Sequence, residues 1–354
     1  MTSAQPFSAT NFIRTSCLIV FSCMLFISHA SADESQGEKM VSPEKMASLD
    51  INEWKVEWQN SRPRDPYISP DGQVWFVGQV GDYIARLEPQ SGDRQRYDIP
   101  QAGPHTVIVD DEGYPWYAGN KDQHIGRLDP ETGKVTRFEM PDGVNDPHTM
   151  AWTSDGNIWF TVQRSGKAGF IGKLATDTGE VQIIEVPGNY MRPYGLVVDN
   201  QGRPWIAFMG SNAIGTIEPD SMQLEIIPTP HKESIIRRIG LTSDNRVWWV
   251  DAGMGYLGVY NPQDKSMQQW PTPGGEAAGL YAMTVDSQDR IWYVETGLQP
   301  NRFIGFDSTN EKFIAIDEVP SGGQSVRNMV FDKATNALWF GTDANTVGRA
   351  VVPD

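Results

Sequence analysis

The sequence predicts an all-β chain folded as a seven-bladed β-propeller of four-stranded blades. Three observations carry that prediction. Seven tryptophans, Trp75, Trp116, Trp159, Trp205, Trp248, Trp292 and Trp339, recur at a mean spacing of 44 residues. Each follows a turn built of Gly, Pro, Asp and Asn, as in Ser-Pro-Asp-Gly-Gln-Val-Trp at 69–75. Between these turns lie short β-type runs, with no helical period of any length. Four strands in roughly 40–50 residues make a propeller blade, and one blade cannot cover both of its faces alone. The repeats therefore stack into one domain over 51–354, although a length of 354 residues alone would suggest two.

Residues 1–32 read as a secretory signal peptide. Arg14 is the only charged residue, an apolar run covers 17–27, and Ala-Ser-Ala at 30–32 gives a small-x-small cleavage pattern after Ala32. The run is too short for a membrane span. Both cysteines, Cys17 and Cys23, lie inside it, so the mature chain is expected to carry no disulfide. A periplasmic or secreted location follows as an expectation. Residues 33–50 are polar and aperiodic, and read as a flexible leader.

Within each repeat, the Trp strand is followed by a segment such as Ile-Gly-Arg-Leu at 125–128 or Ile-Gly-Lys-Leu at 171–174. A turn and a last strand ending in proline follow, as in Val-Gln-Ile-Ile-Glu-Val-Pro at 181–187. The seventh repeat stops after three strands, and an orphan strand-like run, Trp-Lys-Val-Glu-Trp at 54–58, precedes the first. Pairing the two would complete the last blade and remove an exposed edge. The Trp anchors fit packing of blade against blade better than ligand stacking.

The first strand of each blade lines the central channel, and its opening residue lies at one mouth. Aligned on the Trp turn, those residues are Arg64, His105, His148, Tyr194, Arg237, Tyr281 and Arg327, with no aliphatic among them. Hairpin pairing is expected to set Asp251 against Arg237 and Glu295 against Tyr281. A ring of Arg, His and Tyr suits an anionic ligand: Arg offers bidentate contacts and His transfers protons near neutral pH. The competing reading makes the arginines struts. His105 and His148 occupy equivalent places in adjacent repeats, and Asp146 sits two residues before His148. Such a trio would form a proton-transfer pair or a loose metal site. His124 and His231 fall outside this register and read as solvated loop or blade residues.

The repeat Asp-Gly-Asn-Ile-Trp-Phe-Thr at 155–161, with Ile-Gly-Lys-Leu at 171–174 and a closing Glu-Val-Pro, resembles the streptogramin B lyase (virginiamycin B lyase) family. The resemblance implies a seven-bladed propeller and a Mg²⁺-assisted elimination that opens a cyclic depsipeptide without water. It also implies two His on neighbouring inner strands and two Glu near the metal. His105 and His148 match the His pair. Asp146 stands where one Glu would be, and Val162 where the other would close a Trp-Phe-Thr-Glu run. Glu295 closes a similar run, Trp-Tyr-Val-Glu, in the sixth repeat.

The expectation is an exported lyase-like propeller that binds an anionic small molecule or peptide at the channel mouth. His148 is the candidate general base and His105 the assisting acid. Arg64, Tyr194, Arg237, Tyr281 and Arg327 are the candidate ligand contacts, with Asp146 and Glu295 as the metal candidates. A propeller that binds ligand or protein without chemistry is one alternative. A lactonase-like metal hydrolase using Asn328 and Glu295 is another. The net charge of −16 becomes −17 once Arg14 is removed. Such acidity excludes nucleic acid and anionic membrane as partners, and a monomer is expected.

Overall fold

The computed structural model describes residues 46–353, apart from 166, 167 and 191. The expected signal peptide and most of the expected leader lie outside the described residues. The described chain forms seven four-stranded antiparallel sheets. Helix among the described residues is limited to two three-residue turns, Gly188–Tyr190 and Glu276–Ala278. The inner strands of blades 1 to 7 are Pro63–Ile68, Pro104–Val109, Pro147–Trp152, Pro193–Val198, Ile236–Leu241, Leu280–Val285 and Val326–Asp332.

Ring closure follows the expected pairing of the two chain ends, but the strand lies earlier than the run at 54–58 and shares only Trp54 and Lys55 with it. Asp50–Lys55 pairs antiparallel with Thr346–Val351 as the outermost strand of blade 7. The tryptophans explain the fit. Trp75, Trp116 and Trp248 each stack on an aromatic of their own blade's outer strand, Tyr97, Phe138 and Trp270, at 5.6, 5.2 and 5.6 Å. In blade 7 that partner comes from the other end of the chain: Trp54 stacks on Trp339 at 5.4 Å. The seven anchor tryptophans are all buried. Asn345 seals the seam, donating to the carbonyls of Val56 and Trp58 at 2.8 and 3.0 Å. The described chain begins before this strand. Ala47 bridges Ala315 on blade 6, and Ser48 donates to Asp317 at 2.7 Å, so the end of the segment read as a leader, 46–50, is anchored.

The inner hairpins correct the expected register by one residue. Asp251 lies opposite Ile236, not Arg237, and Glu295 opposite Leu280, not Tyr281. The cause is a register shift near the start of the inner strand in every blade. In blade 2, for example, His105 and Thr106 together oppose Ala118, because Pro104 pairs with Gly119 and Val107 with Tyr117. A bulge sets two residues against one and breaks the strict alternation of side chains. Consecutive inner-strand residues thereby both reach the axis.

Candidate functional site

The bulges build a two-tier polar plug across the channel. The first tier holds the seven aligned residues, and the structure brings them together. The rings of His105 and His148 lie 3.5 Å apart, and His148 and Tyr194 4.3 Å apart. Tyr194 and Tyr281 share a hydrogen bond between their hydroxyls. Guanidinium groups of Arg237 and Arg327 stand over the Tyr281 ring at 4.5 and 5.6 Å. Arg64, His105, His148, Tyr194 and Tyr281 are almost fully buried, whereas Arg237 and Arg327 remain half-buried.

The second tier was not found from the sequence. Asp65 and Arg238 are 1% and 4% exposed. Asp65 accepts from Arg64 Nε at 2.9 Å and from the Thr106 hydroxyl at 2.9 Å. Arg238 Nη2 lies 3.6 Å from the same carboxylate, and its Nε donates to the Arg327 carbonyl at 3.2 Å. An alternating strand would have sent these side chains away from the axis. The available signal was the doublets Arg64-Asp65 and Arg237-Arg238, adjacent charges in strands that should alternate. Blade 4 contributes only Tyr194 to this plug, because a Cβ on Gly195 would come within 2.6 Å of the Arg237 carbonyl.

Electrostatics in the plug are dominated by arginine. Burial alone would lift the Asp65 carboxyl, but Arg64 and Arg238 outweigh it and hold the group below its ordinary value. Burial and the neighbouring guanidinium charges push both His105 and His148 well below the usual imidazole range. Both rings are therefore neutral at neutral pH, with Nδ1 of each beside its own following threonine, Thr106 and Thr149. Burial and the Tyr281 oxygen raise Tyr194 to about 12. Tyr281 moves the other way: burial opposes ionisation, yet Arg64, Arg238 and the hydrogen bond from Tyr194 lower it. Three buried guanidinium nitrogens, Arg64 Nη2, Arg237 Nε and Arg238 Nη2, have no hydrogen-bond partner.

The acidic candidates lie apart from this plug. Asp146 accepts from the Asn120 amide in the blade 2–3 loops. Glu295 is buried between blades 5 and 6, where it accepts from the Thr272 hydroxyl, the Gly274 amide and Arg302 at 2.6, 2.8 and 2.9 Å. Its lone pairs are occupied by structural donors. Among the described residues, no three His, Cys, Asp or Glu side chains converge as a metal-ligand set. The residues present do not fit a Mg²⁺ centre, which needs oxygen ligands in near-octahedral array. Arg237 does not tie to Asp251; that carboxylate instead caps the 234–254 loops, accepting from Ser234 and the amides of Ile235 and Gly253. His124 is also corrected. It is fully buried and bonded to the Tyr117 hydroxyl at 2.9 Å, as a satisfied core residue of blade 2.

The family model for the virginiamycin B lyase family matches residues 49–350. The chain belongs to the virginiamycin B lyase family. Among solved structures it is similar to a streptogramin B lyase, with 23% identity, 86% of this chain and 97% of the other covered, and a TM-score of 0.76. It is similar as well to a catalytically inactive histidine-to-alanine variant of the virginiamycin B lyase from Staphylococcus aureus, solved with quinupristin. That match has 22% identity, covers 86% and 100% of the two chains, and has a TM-score of 0.75. Hydrazine synthase from Kuenenia stuttgartiensis matches at 12% identity over 83% and 96%, with a TM-score of 0.69. At these identities the likeness is one of fold. No curated protein matches the chain.

Proposed function

We propose that this family member is an exported propeller that binds an anionic small molecule or peptide at the channel mouth. The observation that carries this reading is the guanidinium cluster around Tyr281. Arg64, Arg237 and Arg327 gather there against two carboxylates, Asp65 and Asp343. Arg64 and Arg237 each keep a buried N–H without an acceptor. An incoming carboxylate supplies acceptors for these donors, in charge-assisted hydrogen bonds about twice as strong as neutral ones. Arg237 and Arg327, being half-buried, are the groups it meets first. The acidic outer surface frames this positive mouth and repels polyanions, so the site favours a compact anion over nucleic acid or anionic lipid.

The test is calorimetric titration with citrate and with acidic peptides. Arg237→Ala is expected to weaken binding about tenfold or more, a cost in line with one lost charged hydrogen bond, and EDTA to change nothing. Binding that ignores charge and Arg237 would overturn the reading.

A second reading is favoured by the neutral imidazole pair. At the same mouth, His148 would take an acidic C–H proton while the adjacent C–O bond breaks and releases a carboxylate, with the Arg cluster holding the developing charge. The plug would have to part to admit substrate, since both imidazoles are almost fully buried. Quinupristin is the probe. Elimination opens its ring without change of mass, whereas hydrolysis adds one water. A new chromatographic species of unchanged mass, lost in His148→Ala, supports elimination; unaltered quinupristin refutes it.

A further inference from the structure

Beyond the plug, the channel holds a separate cavity of about 360 Å³. Its walls come from the later residues of the inner strands, including Val107, Leu196, Met283 and Met329. The strands run from the plug toward the face that carries the Trp turns, so the cavity lies on that side. Its end nearest the plug is polar, formed by Thr106, Thr149, Arg238 and Asn328. Arg64, Arg237, Tyr281 and Arg327 are not among its lining residues. The two sides of the plug are thus chemically distinct.

Arg238 is the decisive residue. It is 4% exposed, and its Nη2 is buried without a hydrogen bond. The nearest carboxylate oxygen, Oδ2 of Asp65, is 3.6 Å away and already accepts from Thr106. Its Nη1 reaches the Thr149 hydroxyl only at 3.5 Å. A buried cationic donor with no acceptor is costly, and an apolar wall cannot satisfy it.

We propose that this cavity binds a small amphipathic carboxylate, admitted from the Trp-turn face. The head group meets Arg238, Thr149 and Asn328, and the aliphatic tail lies among Val107, Leu196, Met283 and Met329. The volume falls at the small end of ligand pockets, which run roughly 300–1,000 Å³ and combine apolar walls with few polar groups. Methionine walls adjust to tails of different shape. The site is independent of the anion bound at the mouth.

Octanoate and octan-1-ol, titrated calorimetrically at physiological salt, test this. The wild-type protein and Arg237→Ala are expected to bind octanoate in the cavity with equal affinity, and octan-1-ol about tenfold or more weakly, because it lacks the charge that Arg238 selects. Val285→Trp fills the cavity at a half-buried lining position and leaves Arg238 intact. It and Asn328→Leu should each weaken octanoate at least about tenfold, with melting temperatures that show both variants folded. No saturable octanoate binding, or equal affinity for the alcohol, overturns the proposal. So does octanoate binding lost in Arg237→Ala but kept in Val285→Trp, which would assign the carboxylate to the mouth.

Discussion

Replacing Trp54 by alanine tests how the ring is held shut. Trp54 lies about 285 positions from its partner in the chain, yet stacks on Trp339 at 5.4 Å with planes 19° apart. Truncating a fully buried Trp costs roughly 3–5 kcal/mol. Trp54 is half-buried on an outer strand, so about 2–3 kcal/mol is expected, of which the ring stack itself supplies roughly 0.5–1.5 kcal/mol. For a domain of this size each kcal/mol lowers the melting temperature by about 2 °C, giving a loss of roughly 5 °C. Differential scanning calorimetry measures it, with Lys55→Ala, an exposed site on the same strand, as the control. Because all blades share one cooperative ring, the single transition should move as a whole. A Trp54→Ala melting point within about 1 °C of the control would refute the closure argument. Deleting residues 1–58 removes the complete ladder with Thr346–Val351 and should leave no cooperative transition.

Other consequences follow from the plug. Asp65→Asn leaves Arg64 and Arg238 without their buried carboxylate and should cost about 3–5 kcal/mol in urea unfolding. Added bromide or sulfate should recover part of that loss; an unchanged midpoint would mean the pair is not coupled. His105 and His148 have folded-state pKa values depressed by burial and by arginine. Their neutral forms are native, so stability is full above the unfolded value near 6.5 and falls as pH drops below it. The slope is about 1.4 kcal/mol per pH unit for each ring. Denaturation between pH 6.5 and 5 should show this dependence, and His105→Asn/His148→Asn should flatten it. Glu295→Gln should destabilise by roughly 1.5–3 kcal/mol through its charged hydrogen bonds, while citrate affinity stays unchanged.

The scaffold was legible because the repeat prints one Trp per blade at a fixed place, and because the seventh repeat lacks a fourth strand while an orphan strand-like run precedes the first. The first tier of the plug was legible for the same reason: one alignment column held Arg64, His105, His148, Tyr194, Arg237, Tyr281 and Arg327. The second tier was hidden by an assumption of alternation. A bulge near the start of each inner strand turns a neighbouring residue to the axis, and this is how Asp65 and Arg238 enter the site. The same bulge moved Asp251 and Glu295 one place along their partners. Glu295 in its Trp-Tyr-Val-Glu run looked like a metal candidate until Arg302, Thr272 and Gly274 were seen to hold it. Those three come from a different strand and a neighbouring blade, and no short motif contains them.

Whether the mouth is built to hold an anion is settled most directly by anomalous diffraction from crystals soaked in sodium bromide. Bromide seeks unpaired guanidinium donors and is located by its own signal. A strong peak is expected beside Arg237 and Arg327 at the channel mouth, weakened in Arg237→Ala crystals. Bromide found only at exposed lysines and arginines of the outer strands, with none at the mouth, would contradict it.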